Sequence, residues 1–521
     1  MNIRNTTRKK VILVFIGLAL LIYVAFYFIE SYIETRIDNF LSSELPKNID
    51  LQYVDLEFSF LNSNLTLSTI SAKNFQDSKT IIFNIDRLGV LGFNYWQFLF
   101  NKKISIDSIV LEKPKLDYSI DESFVKTNLK NEQSSSFDKQ VLIDEILIKN
   151  GSLLVKEKKS DSIQISINNF DFSLENFQLD SISIQNKIPF NYEDYKLASQ
   201  DMYIDLGLYE TLTIDSLSIS EELLKIRQLN MNSKYSRRDL STVIKKERDH
   251  ISLTIKQVVF NHFDFGFEEG QFYFNAKSSK IEYPKAAIFR DKLVNDDLSQ
   301  KALYSKILRE LPIGISIPEI EIINGQLTYE ELVDKNTKAG LLFFNEIDAK
   351  IQNLSNNEDD KNETTIEANA LFMQDSRMTL KWSFDVNNSE DLFLASGTFE
   401  NFDTQTLNQF LESNASLRAK GHVNQLFFTI SGNPLNSKGD MKMKYENFEF
   451  FILKRNRLGI NKFLTAIGNI FIKKDSKTDE QGYRYGKIEV ERDPTKSFFN
   501  YLWLNVRSGI GNTLTGNGKK E

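Results

Sequence analysis

One short pattern recurs along this sequence and restricts the folds that the chain can adopt. It reads apolar-x-apolar-x-x-apolar-x-apolar, where x is any residue, and it lies among short alternating runs of β-branched and aromatic residues separated by Asn, Asp and Ser. Alternation with a period of two is typical of β-strands. We therefore expect the chain beyond Pro46 to be mainly β, with few short helices.

The two apolar pairs of the pattern are offset by three residues, whereas side chains of a regular strand change face at every residue. A bulge or a sharp bend between the pairs would return all four side chains to one face of a sheet. We expect such an irregularity at each copy. The copies are Ile104-Ile106-Ile109-Leu111, Val141-Ile143-Ile146-Ile148, Leu212-Ile214-Leu217-Ile219, Leu253-Ile255-Val258-Phe260 and Ile315-Ile317-Ile320-Ile322.

Two longer segments, which start at Val141 and Ile315, are similar to each other in amino-acid sequence as well as in pattern. VLIDEILIKNGSLLVKE and ISIPEIEIINGQLTYEE share eight aligned residues, among them the dipeptides Asn150-Gly151 and Asn324-Gly325. Asn-Gly after an apolar strand predicts a hairpin turn, because both residues tolerate a positive φ. The spacing between copies varies, so the pattern favours a repeated antiparallel meander over a strict solenoid.

A few segments interrupt the strand pattern. Residues 296–311, DDLSQKALYSKILREL, predict an amphipathic helix that stops at Pro312, and residues 94–100 predict a short apolar turn. Loops are expected over residues 130–139, which include a run of serines, and over residues 356–362. The acidic residues of the second loop are interpreted as a solvated turn, because they lack the spacing of a calcium loop.

The N-terminus combines a basic stretch with an apolar run. The positive charges come first, and residues 11–29 that follow are uncharged and end at Glu30. As a helix this run spans about 28 Å, enough to cross a bilayer core. We expect an uncleaved signal anchor whose basic end stays in the cytoplasm. A cleaved signal peptide and a buried core helix are the alternatives. The residues expected to set the topology are Arg4, Arg8, Lys9 and Lys10.

The C-terminal region differs from the rest in charge. Residues 453–521 carry 14 lysine and arginine residues against 7 aspartate and glutamate residues, although the whole chain has a net charge of −7. Two amphipathic helices are expected there, and such basic segments are typical of contact with an anionic membrane surface. The alternative is that both helices cap the end of a β-sheet. The candidate membrane or partner contacts are Phe463, Ile467, Phe471, Phe499, Trp503 and Ile510.

The chain is therefore expected to divide into regions of different character. These are a cytoplasmic basic tail over residues 1–10, a transmembrane signal anchor over 11–29, a juxtamembrane linker or helix over 30–45, a periplasmic repeated β-meander that forms the groove over 46–452 and a basic amphipathic region over 453–521.

The composition excludes several kinds of active site. The chain has no cysteine, which rules out disulfides and thiolate chemistry, and it has only three histidines. It lacks the nucleophile-elbow, Walker, zinc-protease and Rossmann motifs. The negative net charge disfavours nucleic-acid binding. We expect no enzyme activity, cofactor or metal. His262 is interpreted as a packed or edge residue, and Asp291 with Lys292 as the cap of a strand end.

The anchor, the repeated strands and several local segments together resemble the AsmA/TamB-like envelope proteins. The resemblance covers nearly the whole chain, and its motifs are strand patterns rather than a catalytic site. The segments that carry it are YVDLEFSFLNSNLTL from Tyr53, NYWQFLFNKK from Asn94 and the repeated I-x-I-x-x-I-x-I with Asn-Gly-x-Leu, while IFRDK from Ile288, LRELP from Leu308 and TKSFFNYLW from Thr495 are similar to a version found in Bacteroidota.

The resemblance implies an elongated, curved antiparallel sheet on an inner-membrane anchor, with most of the chain in the periplasm of a Gram-negative envelope. Its apolar concave face would form a groove for phospholipid acyl chains. We favour phospholipid transport or envelope homeostasis; the alternative is a non-enzymatic assembly factor that engages outer-membrane or envelope proteins. The residues expected to line the groove are Ile104, Ile106, Ile109, Leu111, Ile143, Ile146, Ile148, Ile315, Ile317, Ile320 and Ile322.

Overall fold

The structure, a computed structural model, describes residues 24, 27–39, 41, 49–75, 79–101, 103–120, 140–186, 188–220, 222–268, 270–357, 362–454, 460–462, 465, 468, 473–476 and 480–516. Several predictions fall on residues outside these ranges and stay predictions. They concern Arg4, Arg8, Lys9 and Lys10, most of the apolar run, the loop over residues 130–139, and Phe463, Ile467 and Phe471.

The described part of the chain is mainly β, which confirms the fold class predicted from the alternating pattern. The strands are β1 (Ile49–Gln52), β2 (Asp55–Ser59), β3 (Asn64–Phe75), β4 (Lys79–Leu91), β5 (Lys103–Glu112), β6 (Lys115–Ile120), β7 (Gln140–Glu157), β8 (Ile163–Leu179), β9 (Asp194–Asp205), β10 (Glu210–Ser220), β11 (Leu223–Ser233), β12 (Asp249–Glu268), β13 (Gln271–Glu282), β14 (Lys285–Asp291), β15 (Gly314–Leu332), β16 (Gly340–Ser355), β17 (Thr364–Phe372), β18 (Ser376–Phe384), β19 (Phe393–Asp403), β20 (Leu417–Gly432), β21 (Asn436–Ile452) and β22 (Arg484–Glu491).

Helices are few and mostly short, as expected. Residues 27–39 are helical, and two 3₁₀ turns occur at Ser183–Gln185 and Thr404–Leu407. No helix within the described ranges has the length and apolarity needed to span a membrane. The α-helices with defined ends are α1 (Tyr95–Asn101), α2 (Arg237–Val243), α3 (Tyr304–Arg309), α4 (Asn408–Ala415) and α5 (Phe498–Thr515).

The helix predicted over residues 296–311 is much shorter than expected, because only α3 is helical. The Asp297 carboxylate accepts hydrogen bonds from the Ser299 N–H (3.2 Å) and hydroxyl (2.8 Å). A side chain that bonds its neighbouring backbone in this way competes with helix formation. The segment predicted as a short apolar turn near Asn94 is α1.

The described strands belong to two compact units. The first lies within Met1–Asp205 and Ile214–Glu221, and the second within Leu206–Thr213 and Glu222–Glu521. In the first unit, β3 pairs with β1 and β2 on one side and with β4 on the other, and the order continues through β5 with β6, then β7, β8 and β9. In the second unit, β11 and β12 are followed by β13 with β14, then by β15 to β22 in chain order.

An interrupted strand occurs at the same place in both units. β5 and β6 lie end to end between β4 and β7, and β13 and β14 lie likewise between β12 and β15. The interruptions fall at Pro114 and Pro284, which have no N–H to donate to the ladder. The residues before them, Lys113 and Tyr283, have φ angles of 49° and 53°. Each proline carbonyl still accepts a 2.8 Å hydrogen bond from the following strand.

The expectation of an entirely antiparallel meander is wrong at these interruptions. β5 and β6 run parallel to β7, and β13 and β14 run parallel to β15. Parallel neighbours require the chain to cross back before it re-enters the sheet. In the second unit this crossing is made by residues 292–313, which include α3. The remaining pairings described within the units are antiparallel.

The Asn-Gly dipeptides confirm the internal repeat but do not form hairpins. Asn150 and Asn324 lie inside the uninterrupted strands β7 and β15, with φ angles of 54° and 51°, at β-bulges. Their N–H groups donate to Asp171 Oδ1 (2.8 Å) and Asp348 Oδ1 (2.9 Å) of the neighbouring strands. The hairpin prediction is wrong because a carboxylate of the partner strand supplies the hydrogen bond that a turn would have made internally.

The irregularity expected between the two apolar pairs lies on the partner strand. The β7–β8 register is unshifted from Ile143 to Ile146, and only Asp144 is skipped. The residue opposite Asp144 is Asn176, which has a φ angle of 54°. The second unit repeats this arrangement at Pro318, opposite Asn353 with a φ of 56°. A single left-handed residue therefore supplies the bend, and no bulge is needed there.

Replacing Asn324 with valine is expected to destabilise the β15–β16 pair by about 1–2 kcal/mol, because a β-branched residue is strained at positive φ. Asn324→Gly is the matched control and should be close to neutral, since the backbone N–H still reaches Asp348. Hydrogen exchange of the β15 and β16 amides measures the difference. Equal protection in both variants would contradict the role given to this conformation.

Candidate functional site

An apolar face on the first unit is built from cross-strand rows. In one row each residue lies directly opposite the next across β3, β4, β5, β7, β8 and β9, and a second row lies two residues away along each strand. Residues so related point to the same face of a sheet. The two rows are Leu67, Leu88, Leu111, Ile148, Phe172 and Leu197, and Leu65, Val90, Ile109, Ile146, Leu174 and Tyr195.

The structure brings together the candidate groove residues of the first unit. Two copies of the sequence pattern lie side by side in β5 and β7, with each apolar residue of one copy opposite the equivalent residue of the other. The second apolar pair of each copy lies in the middle of the two rows. The first pair of each copy extends the face beyond Asp144, the residue that is left out of the β7–β8 pairing. The pairs are Ile104 with Val141, Ile106 with Ile143, Ile109 with Ile146 and Leu111 with Ile148.

Sequence reasoning missed the members of these rows that β3, β4, β8 and β9 contribute. A signal was present, because the same offset of three separates Leu67 from Ile70 in β3 and Leu174 from Phe177 in β8. The polar residues between those pairs differ from copy to copy, so the segments did not stand out as repeats. Register within the sheet, rather than sequence similarity, identifies them as neighbours.

The two rows of the first unit are not sealed in a dry core by the described residues. Leu67 is 8% exposed and Leu174 is 6% exposed, and the other ten side chains of the rows are half-buried. Half-burial leaves part of each of these side chains accessible to solvent, although Leu41 of the N-terminal helical segment packs with Leu88 and Leu111 against the cluster around Leu67. This face therefore offers apolar surface that a flexible hydrocarbon chain can cover.

The opposite face of the same strands includes charged residues. One residue along from the first row, Ser68, Arg87, Glu112 and Lys149 lie opposite one another across β3, β4, β5 and β7. Arg87 Nη1 lies 4.0 Å from Glu112 Oε1. Both side chains are exposed to solvent, so the pair adds little stability. Its significance is that the two faces of the sheet differ in polarity.

The second unit has a row of the same kind, but its burial is uneven, because Ser279 (3% exposed) near its middle is also buried. The members in β11, β12, β16 and β17 are half-buried, whereas Ala395, Ile430 and Ile488 are 1%, 0% and 2% exposed. Candidate groove residue Ile320, 7% exposed, lies in this row, and Ile322 lies in the next. The full row is Leu224, Phe260, Ser279, Ile320, Ile351, Ile366, Trp382, Ala395, Ile430, Gly439 and Ile488.

Three aromatic side chains, which we call the aromatic wall, lie beside the buried row members of β19, β20 and β22. They are Tyr304 of α3, Trp382 of β18 and Phe498 of α5. The Trp382 and Phe498 rings are stacked with centroids 4.5 Å apart, and Tyr304 meets Trp382 edge-on at 5.3 Å. Beyond the wall, α5 covers the apolar side of β20 to β22.

The buried face of α5 is not the stripe that the sequence suggested. Phe498, Tyr501, Asn505, Gly509 and Thr513 face the sheet, whereas Phe499 is 59% exposed. Trp503 packs edge-on against Phe410 at 6.1 Å, and Ile510 packs against the core. The register of α5 is set by close backbone approach at Gly509 and by a buried hydrogen bond from Ser437 Oγ to Asn505 Oδ1 (2.7 Å). For α5, the structure therefore agrees with the alternative prediction, in which the C-terminal helices pack against a β-sheet.

A polar row ends the apolar face of the second unit. Asp249, Arg290 and Glu331 lie opposite one another across β12, β14 and β15. Arg290 donates two 2.7 Å hydrogen bonds to the Asp249 carboxylate, and Asn414 of α4 donates to Glu331 (2.8 Å). Burial raises the pKa of Tyr329, whose hydroxyl donates to Glu331 Oε2 (2.6 Å). These paired groups form the boundary of the apolar face.

Asp291 and Lys292 lie at the end of a strand, and His262 lies at an irregularity within β12. β14 ends at Asp291, as predicted, and Lys292 Nζ lies 2.5 Å from Glu247 Oε2. His262 is an exposed residue with a φ of 47°, and its Nε2 lies 3.0 Å from Glu222 Oε2. Over the described ranges, no cluster of three or more His, Asp or Glu side chains is arranged to hold a metal ion.

Within the described ranges, the apolar rows of each unit thus form a face of mainly apolar side chains. Charged residues lie on the opposite face in the first unit and at the boundary of the face in the second. Comparison with models of known protein families found no match to this chain, and comparison with curated proteins found none.

Proposed function

We propose that this protein is an inner-membrane-anchored periplasmic protein that holds phospholipid acyl chains along its apolar rows, for lipid transport or envelope homeostasis. The observation that carries the proposal is the half-burial of the paired rows in the first unit. Covering such side chains with hydrocarbon is favourable by about 25 cal/mol per Å². The opposite face carries the exposed charged residues Arg87 and Glu112, which are compatible with contact with water.

The dimensions of the first unit agree with this proposal. Six neighbouring strands extend over about 24 Å at the usual strand spacing. The acyl chains of one bilayer leaflet occupy about 15 Å, which is half of the hydrocarbon core. A row is therefore long enough to hold the acyl chain of one phospholipid, while its headgroup stays in solvent.

The alternative, an assembly factor that pairs an exposed strand with an envelope protein, has less support at the edge of β2. The N–H groups of Phe58 and Phe60 donate to Glu34 Oε1 (3.0 Å) and Glu30 Oε1 (2.8 Å) of the helical residues 27–39. An incoming strand would have to displace both carboxylates. The lipid hypothesis requires no such rearrangement of β2.

A photo-crosslinking amino acid at Ile146 is expected to attach to phospholipid in intact cells, because this side chain belongs to the apolar row. The same probe at Leu147 is the matched control, since the neighbouring residue on β7 points to the opposite face. Mass spectrometry of the purified adducts identifies the lipid. A protein adduct at Ile146 without any lipid adduct would favour the assembly-factor alternative, and equal lipid labelling at both positions would contradict the assigned face.

A further inference from the structure

A strongly exposed apolar surface lies on α1, outside the apolar rows. Trp96, Leu99 and Phe100 are 73%, 68% and 69% exposed. Their spacing of three and four residues places them on one side of the helix. The Trp96 and Phe100 rings are stacked with centroids 5.2 Å apart. These three side chains are called the α1 stripe below.

The other side of α1 contacts the first unit through aromatic rings, although no residue of this helix is fully buried. Tyr95 stacks on Phe60 with centroids 4.9 Å apart, and Phe98 contacts Phe93 at 5.6 Å. The Asn94 side chain caps the helix by accepting the Gln97 N–H (3.0 Å). These contacts hold the α1 stripe away from the sheet. A helix that is apolar on both sides is typical of burial on both sides, so the stripe is suited to contact with a second apolar environment.

Further exposed apolar side chains surround the α1 stripe. Leu61, in the turn between β2 and β3, is 70% exposed, and Phe28 in the helical residues 27–39 is 65% exposed. Phe60 connects these elements, because its ring stacks on Tyr95 and its N–H donates to Glu30. The three apolar surfaces therefore belong to one end of the first unit.

We infer that this end of the first unit docks into the interfacial region of a lipid bilayer through the α1 stripe, an inference that rests on the proposed membrane anchoring. The uncharged run over residues 11–29 leads directly into the helical residues 27–39, so the bilayer that this run would cross is close to α1. Tryptophan and other aromatic side chains favour the bilayer interface. Lys102 and Lys103 follow α1 in the sequence and suit anionic headgroups.

Docking of the α1 stripe gives the apolar rows an opening at the membrane. α1 connects β4 to β5, and it lies between Val90, a member of the second row, and Ile104 along the chain. The Asn94 N–H donates to the Ser105 carbonyl of β5 (2.9 Å), which fixes α1 at the end of these strands. A phospholipid that leaves the bilayer beside α1 would therefore meet the rows without crossing water.

The absence of cysteine from the chain allows a single-site test on the full-length protein. Leu99→Cys and Leu208→Cys are each labelled with an environment-sensitive fluorophore and reconstituted into vesicles of phosphatidylcholine and phosphatidylglycerol. Leu208 is the matched control, because it is also a leucine and is 77% exposed. Each probe is quenched with a nitroxide-labelled phospholipid and, separately, with aqueous iodide.

The Leu99 probe is expected to be quenched several-fold more strongly by the lipid nitroxide than the Leu208 probe, and to be protected from iodide. Quenching of the Leu99 probe by iodide to the same extent as Leu208 would overturn the inference. Protection from both quenchers would overturn it as well, because the α1 stripe would then be covered by protein. Lipid crosslinking is measured in parallel on the variant with the photo-crosslinking amino acid at Ile146, reconstituted into the same vesicles. Its persistence would show that failed docking leaves the proposed acyl-chain binding intact.

Discussion

Replacing Gly486 of β22 with alanine is expected to destabilise the second unit by about 3 kcal/mol, because an added Cβ atom overpacks a rigid contact. That atom would lie 2.6 Å from the Gly509 carbonyl oxygen and 2.6 Å from the Thr513 nitrogen. Both are backbone atoms of α5, so rotation of a side chain cannot relieve the clash. The helix would have to move away from β22, with loss of the hydrogen bond between Ser437 and Asn505.

Two other glycines of the same region provide matched controls. Alanine at Gly509 would meet the flexible end of Met441, with Cε at 2.7 Å, and its cost should be smaller than that of Gly486→Ala. Gly511 has no neighbouring atom within 4 Å of an added Cβ. Gly511→Ala should be neutral or stabilising by up to about 1 kcal/mol, because alanine favours the helix.

The readouts are thermal unfolding and hydrogen exchange of the α5 amides. The expected order of stability is Gly511→Ala above Gly509→Ala above Gly486→Ala. A Gly486→Ala variant with unchanged stability and unchanged α5 protection would contradict the close packing of α5 on β22.

Glutamate at both Ile109 and Ile146 is expected to lower phospholipid occupancy at least about tenfold, because each isoleucine removed takes away about 1.5 kcal/mol or more of hydrocarbon contact and each carboxylate resists desolvation. The two residues lie opposite each other in β5 and β7 and are half-buried. Since water already reaches both positions, the fold should survive the substitutions. Quantitative lipid analysis of the purified full-length protein measures the effect.

The same strands contain a matched control for this double substitution. Val110 and Leu147 also lie opposite each other in β5 and β7 and are also half-buried, but they point to the other face. Glutamate at both of these positions should leave lipid occupancy within about twofold of the unmodified protein. Equal losses in the two double variants would mean that the lipid is not held on the assigned face.

The alternating pattern was sufficient to predict the mainly β fold, because burial on one face imposes a period of two. It could not predict the parallel neighbours of β7 and β15, since strand direction depends on where a connection returns rather than on the strand's own side chains. Nor could it predict that Asn150 continues a strand. That outcome depends on Asp171 of the neighbouring strand, which is 21 residues away.

The candidate site was predictable in part for a related reason. Ile109 and Ile146 belong to clear copies of the pattern, so their shared face followed from the sequence. The buried side of α5 did not, because Gly509 and Asn505 look unfavourable for a core when hydrophobicity alone is considered. Gly509 has no side chain and the Asn505 amide is hydrogen-bonded, so α5 approaches β22 more closely on this side than it could with Phe499 between them. Close packing therefore selected a different helix face from the most apolar one.

The aromatic wall joins α3, which lies in the connection between β14 and β15, to the C-terminal helix α5. The rings of Tyr304 and Phe498 both contact the Trp382 side chain of β18. Loss of α5 would therefore expose Trp382 and remove a contact of α3 at the same time. The two helices are expected to unfold as one cooperative element, although they lie far apart in the sequence.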